Sequence, residues 1–357
     1  MIDIYIMQSY KSNIFKHTHA TRNHACPWVR AIRLLLVLVF SSAGTLAQAA
    51  GFGFIEVPAD SRGPALQGAV WYPCNAPVDQ IQVGPFTLSG VKDGPLAGDH
   101  LPLVVISHGS GGSYLGHYDT AELLADAGFI VAAISHPGDS YQDLSRQGHL
   151  SIFASRPMDM RRLIDYMTQQ WPLHAQLNPN KIGFFGFSRG GYTGLVVAGG
   201  VPDFRLGRDF YVHLHAPLCV SLYREIYNQE FPSLPDSDQR VKALVIADPL
   251  CLFFNADGLR RISVPVQLWA SAFGGDGVTP QSVEAVRQNL PLSPESHVVS
   301  NAGHFAFLAP CSPALIKNVP DICLDKPDFD RMAFHRDFNA AIMVFFQRNI
   351  GSSNKLP

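Results

Sequence analysis

The chain predicts an α/β fold, a mostly parallel central sheet with helices on both faces. Apolar runs of strand length recur through the sequence, and helix-length segments separate them. The runs are continuous rather than alternating, as strands covered on both faces must be. With 47% hydrophobic and only 16% charged residues, the 357-residue chain holds enough apolar material for one large core.

In chain order, GFIEVP (53–58) and GAVWYP (68–73) read as a leading hairpin at one sheet edge. LPLVVISHG (101–109), FIVAAISHP (129–137), KIGFFGFS (181–188), VKALVIAD (241–248), VPVQLWAS (264–271) and SHVVSNAG (296–303) follow as buried strands. Between them YDTAELLADAG, MDMRRLIDYMTQQW, GGYTGLVVAGG and TPQSVEAVRQNL carry helical patterns, and FDRMAFHRDFNAAIMVFFQRN closes the chain as an amphipathic helix. This β-α alternation defines a parallel sheet built from crossover units. No repeat or low-complexity linker divides residues 50–357, so they read as one domain, with a lid-like insert at 201–240.

Residues 1–49 read as an N-terminal extension and a secretory signal. Arg30 and Arg33 precede the apolar run 34–40, and Ala47-Gln48-Ala49 supplies the small-residue cleavage pattern. Ser41, Ser42 and Gly44 interrupt the run before the roughly 20 apolar residues a spanning helix needs, so no stable membrane span is expected after cleavage. The expected location is periplasmic or secreted. His17, His19, His24 and Cys26 lie in the discarded segment, and a start assigned too far upstream explains the first 28 residues at least as well. No metal site and no cofactor are expected. In an oxidising compartment Cys311 and Cys323, which bracket a short proline-containing loop, are the expected disulfide; Cys219 with Cys251 is a second pairing, and Cys74 is left over. A net charge of −2 leaves no electrostatic footprint for nucleic acid.

The chemistry concentrates at Gly186-Phe187-Ser188-Arg189-Gly190, a G-x-S-x-G pentapeptide between a buried strand and a helix. A sharp strand-to-helix turn holds its corner residue in a strained conformation and exposes the hydroxyl above the sheet, and the glycines relieve the crowding. A serine hydroxyl needs a base within reach and an acid to orient that base. In this chain order acid and histidine follow the serine. His304, after the last strand in NAGHFAF, is the expected base in preference to His213, His215 and His297. Asp276, after the penultimate strand, is the expected acid; Asp248 is the alternative and Asp257 a third candidate. The glycine-rich turn SHGSGGS (107–113) supplies the N–H of Ser110, and the elbow supplies the N–H of Arg189, as an oxyanion hole. His108 is expected to brace that turn. No G-K-[ST] or G-x-G-x-x-G pattern makes the turn a phosphate loop.

From about Gly51 to Ile350 the chain resembles the α/β-hydrolases, and within them the dienelactone hydrolase-like and platelet-activating-factor acetylhydrolase-like serine esterases. The resemblance rests on VISHGSGG, AISHPGDS, GFFGFSRGG, DGVTP, NAGHFAFLAPC and FHRDFNAAIMVFF. It implies Ser188 as nucleophile, His304 as base, the Ser110 and Arg189 N–H groups as oxyanion donors, and a small-molecule ester as substrate. The first branch has its aspartate where Asp276 stands, the second where Asp248 stands. Dienelactone hydrolases proper carry a cysteine nucleophile where this chain has Ser188, so lactone specificity is not implied. A serine peptidase or amidase, or a hydrolase-fold protein that only binds, are the alternative readings. In the insert Phe204, Phe210, Tyr211, Tyr223 and Tyr227 are expected either to wall an apolar pocket for short or medium acyl groups or to pack the insert onto the body.

Overall fold

The computed structural model describes residues 49–208 and 217–351. The leader expected in residues 1–49 falls outside them except for Ala49. Ten strands form one sheet: β1 (Ala49–Val57), β2 (Leu66–Cys74), β3 (Asp79–Val83), β4 (Phe86–Lys92), β5 (Leu101–Ser107), β6 (Ile130–Ile134), β7 (Leu177–Phe187), β8 (Val241–Ala247), β9 (Val266–Ser271) and β10 (Glu295–Val299). Their order is β10-β9-β8-β7-β5-β6-β2-β1-β4-β3, parallel from β10 to β6. The crossovers include the helices α1 (Tyr118–Asp126), α2 (Ser151–Gln169) and α3 (Arg189–Val197).

The leading hairpin is not at the edge. β2 pairs antiparallel with β6 and β1 takes β4 on its other side, so the hairpin joins the parallel sheet to a second hairpin, β3–β4. That outer pair is absent from the expected elements because its strands are largely exposed and lack a continuous apolar run. Successive side chains of the central strands enter opposite cores. Leu103 and Val105 join Phe153, Met160 and Tyr192 from α2 and α3, whereas Val104 and Ile106 join Leu124 of α1 and Phe338 and Phe346 of the closing helix Arg331–Ile350. Each large side chain fully buried this way contributes about 1.5–3 kcal/mol, which is why the strand runs have no polar face.

The insert is fastened to the body. Glu225, in its helix Pro217–Tyr227, accepts from the Leu150 N–H at 2.7 Å and pairs with His149 Nδ1 at 2.6 Å, placing a carboxylate at the N-terminus of α2. Phe204 packs edge-on to Phe253 and near Phe153, with ring centroids 5.1 and 6.0 Å away, so it belongs to the core. Tyr227 is exposed, and Phe210 and Tyr211 lie outside the described residues.

Cys311 and Cys323 form the expected disulfide, with Cα atoms 5.6 Å apart. The second expected pairing is not formed: Cys251 is a free, buried thiol, its pKa pushed up to about 12 by burial. Cys74 is also free and buried.

Candidate active site

Ser188, Arg189, Ser110, His304, Asp248 and Asp276 all lie beyond the carboxyl ends of parallel strands, where open α/β sheets form their ligand crevice. Ser188 stands between β7 and α3 with φ 55° and ψ −119°. Such a backbone costs about 1–3 kcal/mol and persists only where the surroundings hold it. Here the Ser188 N–H donates to Ala247 O at 3.0 Å, and its carbonyl accepts from Gly191 N and Leu250 N, both at 2.9 Å. The glycines are there for space: a β-carbon at Gly190 would run into the Ser107 carbonyl, and one at Gly186 into the Gly190 carbonyl.

His304 opens a short 3₁₀ turn, His304–Phe307, after β10. Its N–H donates to Gly274 O at 2.9 Å, and its ring lies against Phe187, 4.7 Å between centroids. The ring bridges two partners. Nε2 is 2.9 Å from Ser188 Oγ, and Nδ1 is 2.7 Å from Asp248 Oδ2. All three residues are buried. Asp248 is held in turn by the Ser271 N–H at 2.8 Å and the Ser271 hydroxyl at 2.7 Å. The carboxylate thus orients the ring with Nδ1–H donating to it, leaving Nε2 to accept from the serine hydroxyl.

The carboxylate at His304 is therefore that of Asp248, not of Asp276. Asp276 is exposed at the tip of a tight turn in which Gly275 and Val278 exchange backbone hydrogen bonds at 2.9 and 2.8 Å. Its φ of 46° and that of Gly277, 84°, are the pair a type I′ turn requires. Asp-Gly makes this turn, and the neighbouring Gly274 carbonyl supports the histidine backbone. Asp257 lies in the short helix Ala256–Leu259, and His297 stacks on Trp269 with centroids 4.0 Å apart. His213 and His215 lie outside the described residues.

On the other side of Ser188 is the glycine turn after β5. A β-carbon at Gly109 would lie 3.3 Å from the Ser188 β-carbon, so Ser110 follows directly on the serine's neighbour. Arg189 is the first residue of α3, where the N–H groups have no acceptor within the helix. The side chains of Ser110 and Arg189 share one buried carboxylate, Asp139, which follows β6. Ser110 Oγ donates to it at 3.0 Å and Arg189 Nη1 lies at 2.9 Å, while Arg156 of α2, fully buried, reaches it at 2.5 Å. Arg156 also donates to the His108 carbonyl and to Ser107 Oγ. Burial works to raise the Asp139 carboxyl, but Arg156 and Arg189 hold it below its ordinary pKa.

His108 braces the turn with Nδ1 2.6 Å from Gly109 O, and its Nε2 accepts from the His136 N–H at 3.0 Å. Burial, with Arg156 nearby, brings its pKa down to about 3, so it is neutral. Neither Asp139 nor Arg156 is among the expected site residues. Arg156 leaves a readable signal: it falls on the buried stripe Ile152, Phe153, Met160, Leu163 and Met167 of α2, where a charge needs a partner.

No protein-family model matches the chain, and no curated protein sequence matches it. Solved structures do. A ferulic acid esterase from Streptomyces cinnamoneus superposes with a TM-score of 0.58 at 18% identity, covering 88% of this chain and 93% of that one. A dienelactone hydrolase from Anabaena variabilis gives 0.48 at 16% identity, over 84% of this chain and 99% of that one. The fold is that of the α/β-hydrolases. Among the described residues no helix is long and apolar enough to cross a membrane, and no three metal-ligating side chains cluster.

Proposed function

We propose that this chain hydrolyses carboxylic esters through an acyl-serine intermediate, with Ser188 as nucleophile, His304 as general base and acid, and Asp248 as the orienting carboxylate. The observation that carries the reading is the unbroken hydrogen-bond series Ser188 Oγ, His304 Nε2, His304 Nδ1, Asp248 Oδ2, on a serine held at positive φ. The fold shared with the ferulic acid esterase agrees with it.

Ser188 Oγ attacks the ester carbonyl carbon as its proton passes to His304 Nε2, and the imidazolium is stabilised by Asp248. The carbonyl oxygen becomes negative beside the Ser110 and Arg189 N–H groups, each such donor being worth roughly 3–4 kcal/mol in the transition state. The tetrahedral intermediate collapses, the C–O bond to the alcohol breaks, and the alcohol oxygen takes the proton from Nε2. Water then gives its proton to Nε2 and attacks the acyl carbon. Collapse releases the acid and returns the proton to Ser188. Every step uses side chains, backbone N–H groups and water.

We also place the reaction in the periplasm or outside the cell. The leader pattern of residues 1–49 and the Cys311–Cys323 disulfide support this location. N-terminal sequencing of the exported protein should begin at Ala50. For the chemistry, Ser188→Ala is expected to abolish p-nitrophenyl acetate hydrolysis and fluorophosphonate labelling while the protein stays folded. Labelling that persists in this variant would show that the nucleophile is elsewhere.

A further inference from the structure

Three of the cavities on the described surface differ in charge. One, about 780 Å³, lies where the insert meets the body and is lined by Arg205, Asp257, Arg260 and Arg261; none of Ser188, His304 or Asp248 lines it. A second, about 280 Å³, touches His304 and carries Asp325 and Lys326. The third, about 360 Å³, has no Asp, Glu, Lys or Arg in its lining. Its walls come from four places: Phe86 of the β3–β4 hairpin, Tyr114 and Leu115 after the glycine turn, Tyr141 after β6, and Leu308, Leu315 and Ile322 around the disulfide.

We infer that this third cavity receives the acyl group of the ester, and that the substrates are esters of neutral, apolar acids of medium chain length or with an aromatic ring. The inference rests on the ester-hydrolase reading above. None of Ser188, His304, Asp248, Ser110 or Arg189 lines it either, but its lining is joined to the reacting groups along the chain: it includes Gly111 and Gly112, the residues that follow the Ser110 donor, and Leu308, four residues past His304. A β-carbon at Gly109 would lie 3.3 Å from that of Ser188, and two residues of chain span at most about 7 Å, so Gly111 lies within reach of an acyl chain fixed to Oγ. The volume equals that of about a dozen waters, room for an acyl group of comparable heavy-atom count. A carboxylate or ammonium would find no oppositely charged side chain there, which disfavours charged acyl groups.

The far wall is built from the segment the disulfide closes. Leu315 and Ile322 lie between Cys311 and Cys323, in the short helices Pro313–Asn318 and Pro320–Cys323. Among the described residues the insert, for which an apolar pocket wall was one of two expected roles, supplies none of this lining.

The test is an acyl series of p-nitrophenyl esters, from acetate to octanoate and benzoate, run on wild type, Leu315→Trp and Ile322→Trp. Filling the cavity is expected to cut kcat/KM for octanoate and benzoate about tenfold or more, the scale of a misfitted apolar group, and to leave acetate within about twofold. Should a tryptophan variant misfold, the Cys311→Ser/Cys323→Ser variant reads the same wall, with KM rising for octanoate and unchanged for acetate. Equal losses across the series, or none, overturn the inference. A second series, acetates of alcohols from ethanol to octanol, is run on the same variants; a response confined to that series also overturns the inference, since it would make this the leaving-group site. Wild type that neither hydrolyses acetate nor accepts fluorophosphonate instead overturns the hydrolase reading, and this inference with it.

Discussion

Two buried carboxylates flank Ser188, and their surroundings differ in kind. Asp248 meets one imidazole and two donors of Ser271, which fix its direction. Asp139 meets two guanidiniums and a hydroxyl, and through them ties α2, the elbow and the glycine turn together. The first arrangement holds one ring in line between a carboxylate and a hydroxyl. The second is an ion cluster with no proton to move, and its consequence is geometric: both proposed oxyanion donors belong to residues anchored on the same carboxylate. Two arginines against one carboxylate also leave positive charge behind those donors, of the sign a developing oxyanion requires.

The contrast is open to mutation. Asp248→Asn should lower kcat about 10,000-fold, since the histidine is then held in the wrong tautomer, with a change in unfolding free energy smaller than that of Asp139→Asn. Asp139→Asn should do the reverse in emphasis. It leaves Arg156 buried without a counter-ion, which is expected to cost about 3–5 kcal/mol in denaturant unfolding, with kcat reduced far less than in Asp248→Asn. Equal kinetic damage from the two variants would erase the distinction.

The pH dependence sharpens it. A carboxyl with a depressed folded pKa adds stability that is complete above its unfolded value, near 3.9, and is lost as pH falls through the lower folded value. The acid limb of the stability curve should therefore be shallower in Asp139→Asn than in wild type. Removing the disulfide by Cys311→Ser/Cys323→Ser should cost about 3 kcal/mol on the chain-entropy account of a 12-residue separation. The smallest effect belongs to Asp276→Asn. Asn tolerates the same positive φ, the side chain is exposed, and activity and stability should stay within about 0.5 kcal/mol of wild type.

Much of the architecture is written locally. Five continuous apolar runs became β5 to β9, because strands covered on both faces leave a pattern no other element of that length leaves; the sixth became β10, an edge strand that is half-exposed rather than buried. The β3–β4 hairpin, largely exposed, leaves none and was missed. At the site, Ser188 and its glycines are legible because crowding at a sharp turn restricts residue type within five positions. His304 is legible from its place after the last strand.

The acid was not. Asp248 and Asp276 follow adjacent strands, β8 and β9, and each stands beside a turn-forming residue. One-dimensional order does not say which carboxyl meets the imidazole. The backbone decided it, by folding Gly275–Val278 into a two-residue turn that directs Asp276 to solvent and by seating Asp248 on Ser271. Arg156 and Asp139 lie 17 residues apart on different elements, and only their packing under the glycine turn joins them. What the sequence by itself determined was whatever depends on neighbours along the chain: strand, elbow, helix and the spacing of one disulfide. Which charges meet was left to tertiary structure, because burial makes an unpaired charge costly and only the assembled sheet brings a partner within reach.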